Sequence, residues 1–177
     1  DINKIAFTGS TQVGKLIQKS LAGRDVGLTL ELGGKAANIV YEDAAIDQAV
    51  EGVVNGIFFN QGHVCCAGSR LLLQESIHDQ FVKKLEKRMQ SLRVGNPLDK
   101  NTDIGAINSK EQLDKITSLV NEGVEDGGEL FQTQCDLPGN GFWFRPSLFT
   151  NVQPSYSIAR EEIFGPVLTT LTFRTPE

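Results

Sequence analysis

The residues of this chain best suited to chemistry are two adjacent thiols, Cys65 and Cys66, in the run Asn60-Gln61-Gly62-His63-Val64-Cys65-Cys66-Ala67-Gly68-Ser69-Arg70. A thiol attacks as its thiolate, so its surroundings decide whether it reacts. Here the surroundings are favourable. Val53, Val54, Ile57, Phe58 and Phe59 recur at helical spacing from about Asp47, which predicts a buried helix that delivers the chain to Asn60. Gly62 breaks it, and Leu71-Leu72-Leu73 predicts a strand beyond. A thiol on the loop between them meets solvent and free backbone N–H groups, which lower its pKa, and Ala67 and Gly68 let a ligand approach the backbone. The competing reading makes Cys65 and Cys66 small core residues, since free cysteine is often buried. The local pattern leaves both open.

A second group tilts the balance. Glu31 closes the apolar stretch Leu28-Thr29-Leu30-Glu31-Leu32 and is followed by Gly33-Gly34-Lys35. A lone carboxylate inside such a run is costly unless it is paired or used.

Glu31-Leu32-Gly33-Gly34-Lys35 followed by Phe58-Phe59-Asn60-Gln61-Gly62-His63-Val64-Cys65-Cys66-Ala67-Gly68-Ser69-Arg70 resembles the paired signatures of the aldehyde dehydrogenase superfamily. Phe7-Thr8-Gly9-Ser10-Thr11-Gln12-Val13-Gly14-Lys15 and Glu161-Glu162-Ile163-Phe164-Gly165-Pro166-Val167 match further signatures in the same order. Lys19-Ser20-Leu21-Ala22-Gly23 and Leu71-Leu72-Leu73-Gln74-Glu75-Ser76 look most like the sixteenth family of the superfamily, whose mammalian members have lost the cysteine.

The resemblance implies an oxidoreductase that turns a small-molecule aldehyde into a carboxylic acid. Cys65 would be the nucleophile, passing through a thiohemiacetal and a thioester, and Glu31 the base for the hydrolytic water. The family's spacing, cysteine, one residue, then Ala or Gly, selects Cys65 over Cys66. A carboxyl near an apolar strand end would have a raised pKa, which suits that base. The cofactor would be NAD, with NADP left open. Ser10 and the Gly9 turn would lie at its pyrophosphate, Glu162 at the nicotinamide ribose and Phe164 beside the ring, with Gly14 and Leu32 also binding the cofactor. The Cys65 N–H would be one oxyanion donor, the other being an asparagine before residue 1. His63 stands where the family often has glutamine; it reads as a polar loop residue, and a cysteine–histidine dyad is the weaker alternative.

The elements that must position these groups alternate between short apolar strands and helices, which predicts an α/β fold: a largely parallel sheet flanked by helices, plus the tail of a Rossmann-like cofactor domain. The expected division is residues 1–33, the end of the NAD-binding domain, and residues 34–177, a catalytic domain incomplete at its C-terminus. Lys4 to Thr8 reads as a strand and Thr11 to Leu21 as a helix capped by Ser10 or Thr11, with Val13, Leu16, Ile17 and Leu21 on one face. A strand, a glycine turn and a helix start can hold an anion, although Gly9 to Gly14 alone matches no phosphate fingerprint. Asp43 is the expected cap of the helix running to Phe59. Ile77 to Leu92 reads as an amphipathic helix burying Phe81, Leu85, Met89 and Leu92, and Ser109 to Glu122 as a helix capped by Ser109. Phe142-Trp143-Phe144-Arg145-Pro146 reads as core or domain packing rather than a ligand platform, because apolar residues continue through Leu148 and Phe149. Cys135 lies on an expected surface loop at 133–141, and His78 reads as surface.

Composition narrows the class. The 177 residues are 40% hydrophobic and 22% charged with a net charge of −5, which offers nothing to phosphate backbones, so no nucleic acid is expected. No apolar run approaches the ~20 residues of a bilayer span, and three cysteines make no disulfide framework. No metal site is expected, and a cytoplasmic location and a homo-oligomeric parent are. Met89 is the only methionine and Asp1 the first residue, so the chain reads as an excised piece; the resemblance implies that earlier cofactor strands, the second oxyanion donor and an oligomerisation segment lie outside it, so the piece alone is expected to be nearly inactive. Two other classes stay in view. One is a cofactor-independent thiol esterase; the other is a scaffold that keeps the fold, against which the joint retention of Glu31, Cys65 and Glu162 speaks.

Overall fold

The computed structural model describes residues 2–175. They divide into two compact units, one ending at Gly34 and the other beginning at Lys35.

The first unit is a strand–helix–strand. β1 (Lys4–Gly9) and β2 (Gly27–Leu32) pair in parallel from Lys4↔Gly27 to Gly9↔Leu32, with α1 (Thr11–Ser20) between them. Ser10 caps α1 as expected: its Oγ accepts the Val13 N–H at 3.3 Å. The expected apolar face is only partly covered. Ile17 and Leu21 are half-buried, while Val13 and Leu16 are 41% and 62% exposed. Two strands offer a helix too narrow a surface to cover a full stripe. What α1 does bury is Gly14, where a Cβ would come within 2.6 Å of Leu32 Cδ2.

The second unit is a sheet of five strands in the order β3-β4-β7-β6-β5. β3 (Ala37–Val40), β4 (Arg70–Gln74), β7 (Val167–Phe173) and β6 (Ser147–Thr150) are mutually parallel, and β5 (Glu129–Gln132) joins β6 antiparallel at the edge. Alternation along the inner strands buries both faces. Leu148 and Leu168 join Leu71 and Leu73 in a core beneath α2 (Ile46–Phe58) and α3 (His78–Met89). Phe149 and Val167 face the other way, toward Ile116, Leu119 and Val120 of α4 (Lys110–Glu125) and Ile158 of α5 (Ser157–Arg160). Helices on both faces of a mostly parallel sheet are the α/β architecture expected from the sequence.

α3 buries Phe81, Leu85 and Met89 as its period required, with Leu92 buried just past its end, and Ser109 Oγ caps α4 by accepting the Gln112 N–H at 3.1 Å. Three expectations need correction. Asp43 does not cap α2, which starts at Ile46 behind Ala45 with no side-chain cap. β6 was hidden behind Pro146 in an aromatic stretch read only as core or domain packing. Of that stretch Phe144 is buried, but Phe142 is 39% exposed, and Trp143 is held half-buried because its indole N–H donates to Asn140 O at 2.7 Å. Among the described residues no helix is long and apolar enough to cross a membrane.

Candidate functional site

The thiols occupy the two corners of a tight turn. The Ala67 N–H donates to Val64 O at 3.0 Å, so Cys65 and Cys66 are its central residues and both are exposed. Among the described residues neither corner N–H has an acceptor, and the second reading of the sequence, thiols buried as core, is overturned. The turn is moored on its C-terminal side. Ser69 O accepts both the backbone N–H and the Oγ1 hydroxyl of Thr169 on β7, at 3.0 and 3.1 Å, and the Arg70 N–H donates to Ala36 O at 3.1 Å.

On its N-terminal side the chain passes through a knot of strained backbone. α2 gives way to a 3₁₀ turn, Phe59–Gly62, in which Asn60 (φ 49°) and Gln61 (φ 56°) are successive left-handed residues. Asn tolerates this region; Gln does so only when its surroundings impose it. Here they do: Gln61 Oε1 accepts the Gly105 N–H at 3.1 Å, and Asn60 Nδ2 donates to His63 O at 3.2 Å. Gly62 (φ 74°) follows, and a Cβ on it would fall 2.1 Å from Gly165 O. Only glycine lets the thiol segment lie this close to the segment bearing Glu162 and Phe164.

That second segment is strained as well. Phe164 has φ 55°, and Gln112 Nε2 on α4 holds it by donating to Ile163 O and Phe164 O at 2.8 and 2.9 Å. The half-buried Phe164 ring stacks on His63, with centroids 5.4 Å apart and planes 8° from parallel. Burial holds the His63 pKa below its usual 6.5, and Nε2 is buried without a partner among the described residues. His63 therefore meets Phe164, not a thiol, and the dyad alternative loses its geometry.

Glu162 is half-buried, and its charge and that of Arg70 both act on Lys35. Sequence reasoning missed Lys35 and Arg70, as it missed Gln112; all three look like surface residues in a one-dimensional pattern. In the first unit, Gly9, Ser10, Gly14 and Leu32 gather where β1 turns into α1 and α1 crosses β2. The first turn of α1 carries no acidic residue and its last turn carries Lys19, so the helix's own side chains put no negative charge at its N-terminal N–H groups. Glu31, opposite Thr8 in the β1–β2 register, is exposed. The premise that its charge is buried is corrected: along β2 the half-buried phase is Leu28, Leu30 and Leu32, and Glu31 falls on the outward phase. Among the described residues no three His, Cys, Asp or Glu side chains gather into a metal site.

Fold and site together define an α/β protein that presents an exposed thiol on a turn leading into a parallel strand. The aldehyde dehydrogenase family profile matches residues 1–177, and the chain belongs to that family. It is 48% identical over 98% of its length to retinal dehydrogenase 2 of Taeniopygia guttata, of which it covers 34%. Among solved structures, an NAD-dependent aldehyde dehydrogenase from Sinorhizobium meliloti superposes with a TM-score of 0.93 at 42% identity, over 98% of this chain and 34% of that one. Betaine aldehyde dehydrogenase from Staphylococcus aureus, solved in complex with NAD+, gives 0.92 at 37% identity, over 98% of this chain and 35% of that one. The chain thus spans about a third of the length of the relatives it matches.

Proposed function

We propose that the complete protein carrying this sequence oxidises an aldehyde to a carboxylic acid with NAD(P)+, with Cys65 as the nucleophile. The observation that supports this best is the Val64–Ala67 turn, which combines an exposed Cys65 thiol with a Cys65 N–H that has no acceptor among the described residues.

The Cys65 Sγ, as thiolate, attacks the carbonyl carbon and forms a C–S bond. The carbonyl oxygen becomes an oxyanion, and the unpaired Cys65 N–H is a donor suited to it. A bound nicotinamide dinucleotide would supply a hydride acceptor for this carbon, and loss of the hydride leaves a thioester on Sγ. Water attacks the thioester with Glu31 taking its proton, the carboxylic acid departs, and the Cys65 thiolate is restored.

The residues present fit the dinucleotide. The acid-free first turn of α1, entered through Gly9 and Ser10, suits a pyrophosphate, and Gly14 and Leu32 set how closely α1 lies on β2 beneath it. Glu162 is the acceptor for ribose hydroxyls, and the Phe164 ring, fixed by Gln112 and His63, presents a flat apolar face for the nicotinamide.

The test is aldehyde-dependent formation of NADH and NADPH by the complete protein, with hydrolysis of an activated ester run in parallel. Cofactor reduction with at least one aldehyde supports the reading. Ester turnover with no cofactor reduction for any aldehyde would replace it with the thiol esterase.

A further inference from the structure

The turn that presents Cys65 presents a second thiol, Cys66, for which the proposed reaction has no use. The two are exposed neighbours joined through one trans peptide, at the adjacent corners closed by the Ala67 N–H bond to Val64 O. The corners can change shape without cost to the sheet, since neither the Cys65 nor the Cys66 N–H has an acceptor among the described residues. The ends are fixed: the His63 N–H donates to Asn60 O at 2.9 Å before the turn, and the Arg70 N–H to Ala36 O at 3.1 Å after it. The third thiol is engaged elsewhere. Cys135 is half-buried, its Sγ lies 3.4 Å from Thr133 Oγ1, and it packs against the core beneath α2 and α3. Among the described residues no further His, Cys, Asp or Glu joins Cys65 and Cys66, so they lack the ligand set of a structural zinc site. What the pair can do is react with each other.

We propose that Cys65 and Cys66 form a vicinal dithiol, a modification site that a peroxide closes into a Cys65–Cys66 disulfide and an external thiol reopens. The Cys65 thiolate attacks one peroxide oxygen and the O–O bond breaks. Sulfur is oxidised to a sulfenic acid, and the rest of the peroxide leaves as alkoxide or hydroxide and takes up a proton. Cys66, as thiolate, then attacks the Cys65 sulfur; the S–S bond forms, the S–O bond breaks and hydroxide leaves. Two external thiols reverse this by exchange and become a disulfide themselves. Consecutive Cα atoms are about 3.8 Å apart, closer than the about 4.4–6.8 Å of ordinary disulfides, so the closed turn is strained and yields readily to a thiol. Cys66 thereby spares Cys65 from sulfinic acid, which a thiol does not reverse. Loss of aldehyde oxidation on closure rests on the reading of Cys65 as the nucleophile; the disulfide itself does not.

The experiment exposes the complete protein to hydrogen peroxide for a fixed time and then to dithiothreitol, as wild type, Cys66→Ala, Cys66→Ser and Cys135→Ser. The peptide containing residues 65 and 66 is weighed by mass spectrometry at each stage, and aldehyde-dependent NADH formation is followed alongside. Wild type and Cys135→Ser should give a peptide lighter by two hydrogens after peroxide, and dithiothreitol should restore both its mass and the activity. The two Cys66 variants should instead gather oxygens on Cys65, and the activity they regain should be about tenfold lower than that of wild type, since sulfinic and sulfonic acids are not reduced by thiols. If a Cys66 variant does not fold, the wild-type masses decide. A wild-type peptide that gains oxygens instead of losing hydrogens, or a disulfide to Cys135 in its place, would overturn the proposal. So would recovery of the Cys66 variants equal to that of wild type. A Cys65–Cys66 disulfide in a protein that still oxidises its aldehyde would uphold the dithiol and overturn Cys65 as the nucleophile.

Discussion

The residues that matter most around the thiols are those whose backbone or burial is expensive. Gly62 is one. Alanine there would pay for left-handed φ and for a methyl driven into Gly165 O, so Gly62→Ala is expected to destabilise the fold by about 2–5 kcal/mol in denaturant titration. A loss under about 1 kcal/mol would mean that the two segments are not locked together as described. Titration adds two tests with opposite pH windows. The folded state keeps His63 neutral, with its pKa below 6.5, so the unfolded chain binds the proton first and stability falls as pH drops below about 6.5. His63→Gln should make that acid limb shallower. The folded state likewise depresses Lys35 from 10.5 to about 7, so stability should climb as pH rises between those values, a climb that Lys35→Met abolishes. Cys65 and Gly62 could be singled out in the sequence because a glycine and a thiol pair in an apolar setting are unusual. Lys35 and Gln112 could not, nor could the Phe164 partner of His63, since these depend on groups distant in sequence.

At the scale of elements, the sheet is the frame to which the two short segments of the proposed site are moored. The 59–70 segment is moored by β7 through Thr169, and the 161–166 segment by α4 through Gln112. Gln112→Ala removes both bonds to Ile163 O and Phe164 O, at an expected cost of about 1–3 kcal/mol. Backbone exchange at residues 163–165 should quicken more than that of α4 itself; equal quickening of both would point to general loosening. The elements were legible where period was strong. α3 shows an unbroken stripe at Phe81, Leu85 and Met89, and β4 an apolar run bounded by a loop. β6 is four residues long, with Ser147, Leu148 and Phe149 all buried, and a run that short carries no alternation to read. Asp43 failed as a cap because α2 begins three residues later, held by packing of Ile46, Val50 and Val53. Burial of a helix face outweighs a cap worth about 1 kcal/mol.

The molecule as a whole is uneven in stability. In the unit of β1, α1 and β2, Gly14 is the one residue buried among those described, whereas the unit from Lys35 onward has two large cores. Amide exchange of this chain should be fast through α1 and slow in β4, β6 and β7, and equal protection in α1 would contradict that division. Membership of the aldehyde dehydrogenase family was legible because four signatures keep their order along the whole chain. The most direct test of the central claim, that Cys65 is the nucleophile, is mass spectrometry of the complete protein quenched during turnover of an aldehyde with NAD. An acyl adduct on the peptide containing Cys65 in wild type and Cys66→Ala, absent in a folded Cys65→Ala, is the result expected. An adduct that survives Cys65→Ala and disappears with Cys66→Ala would contradict it.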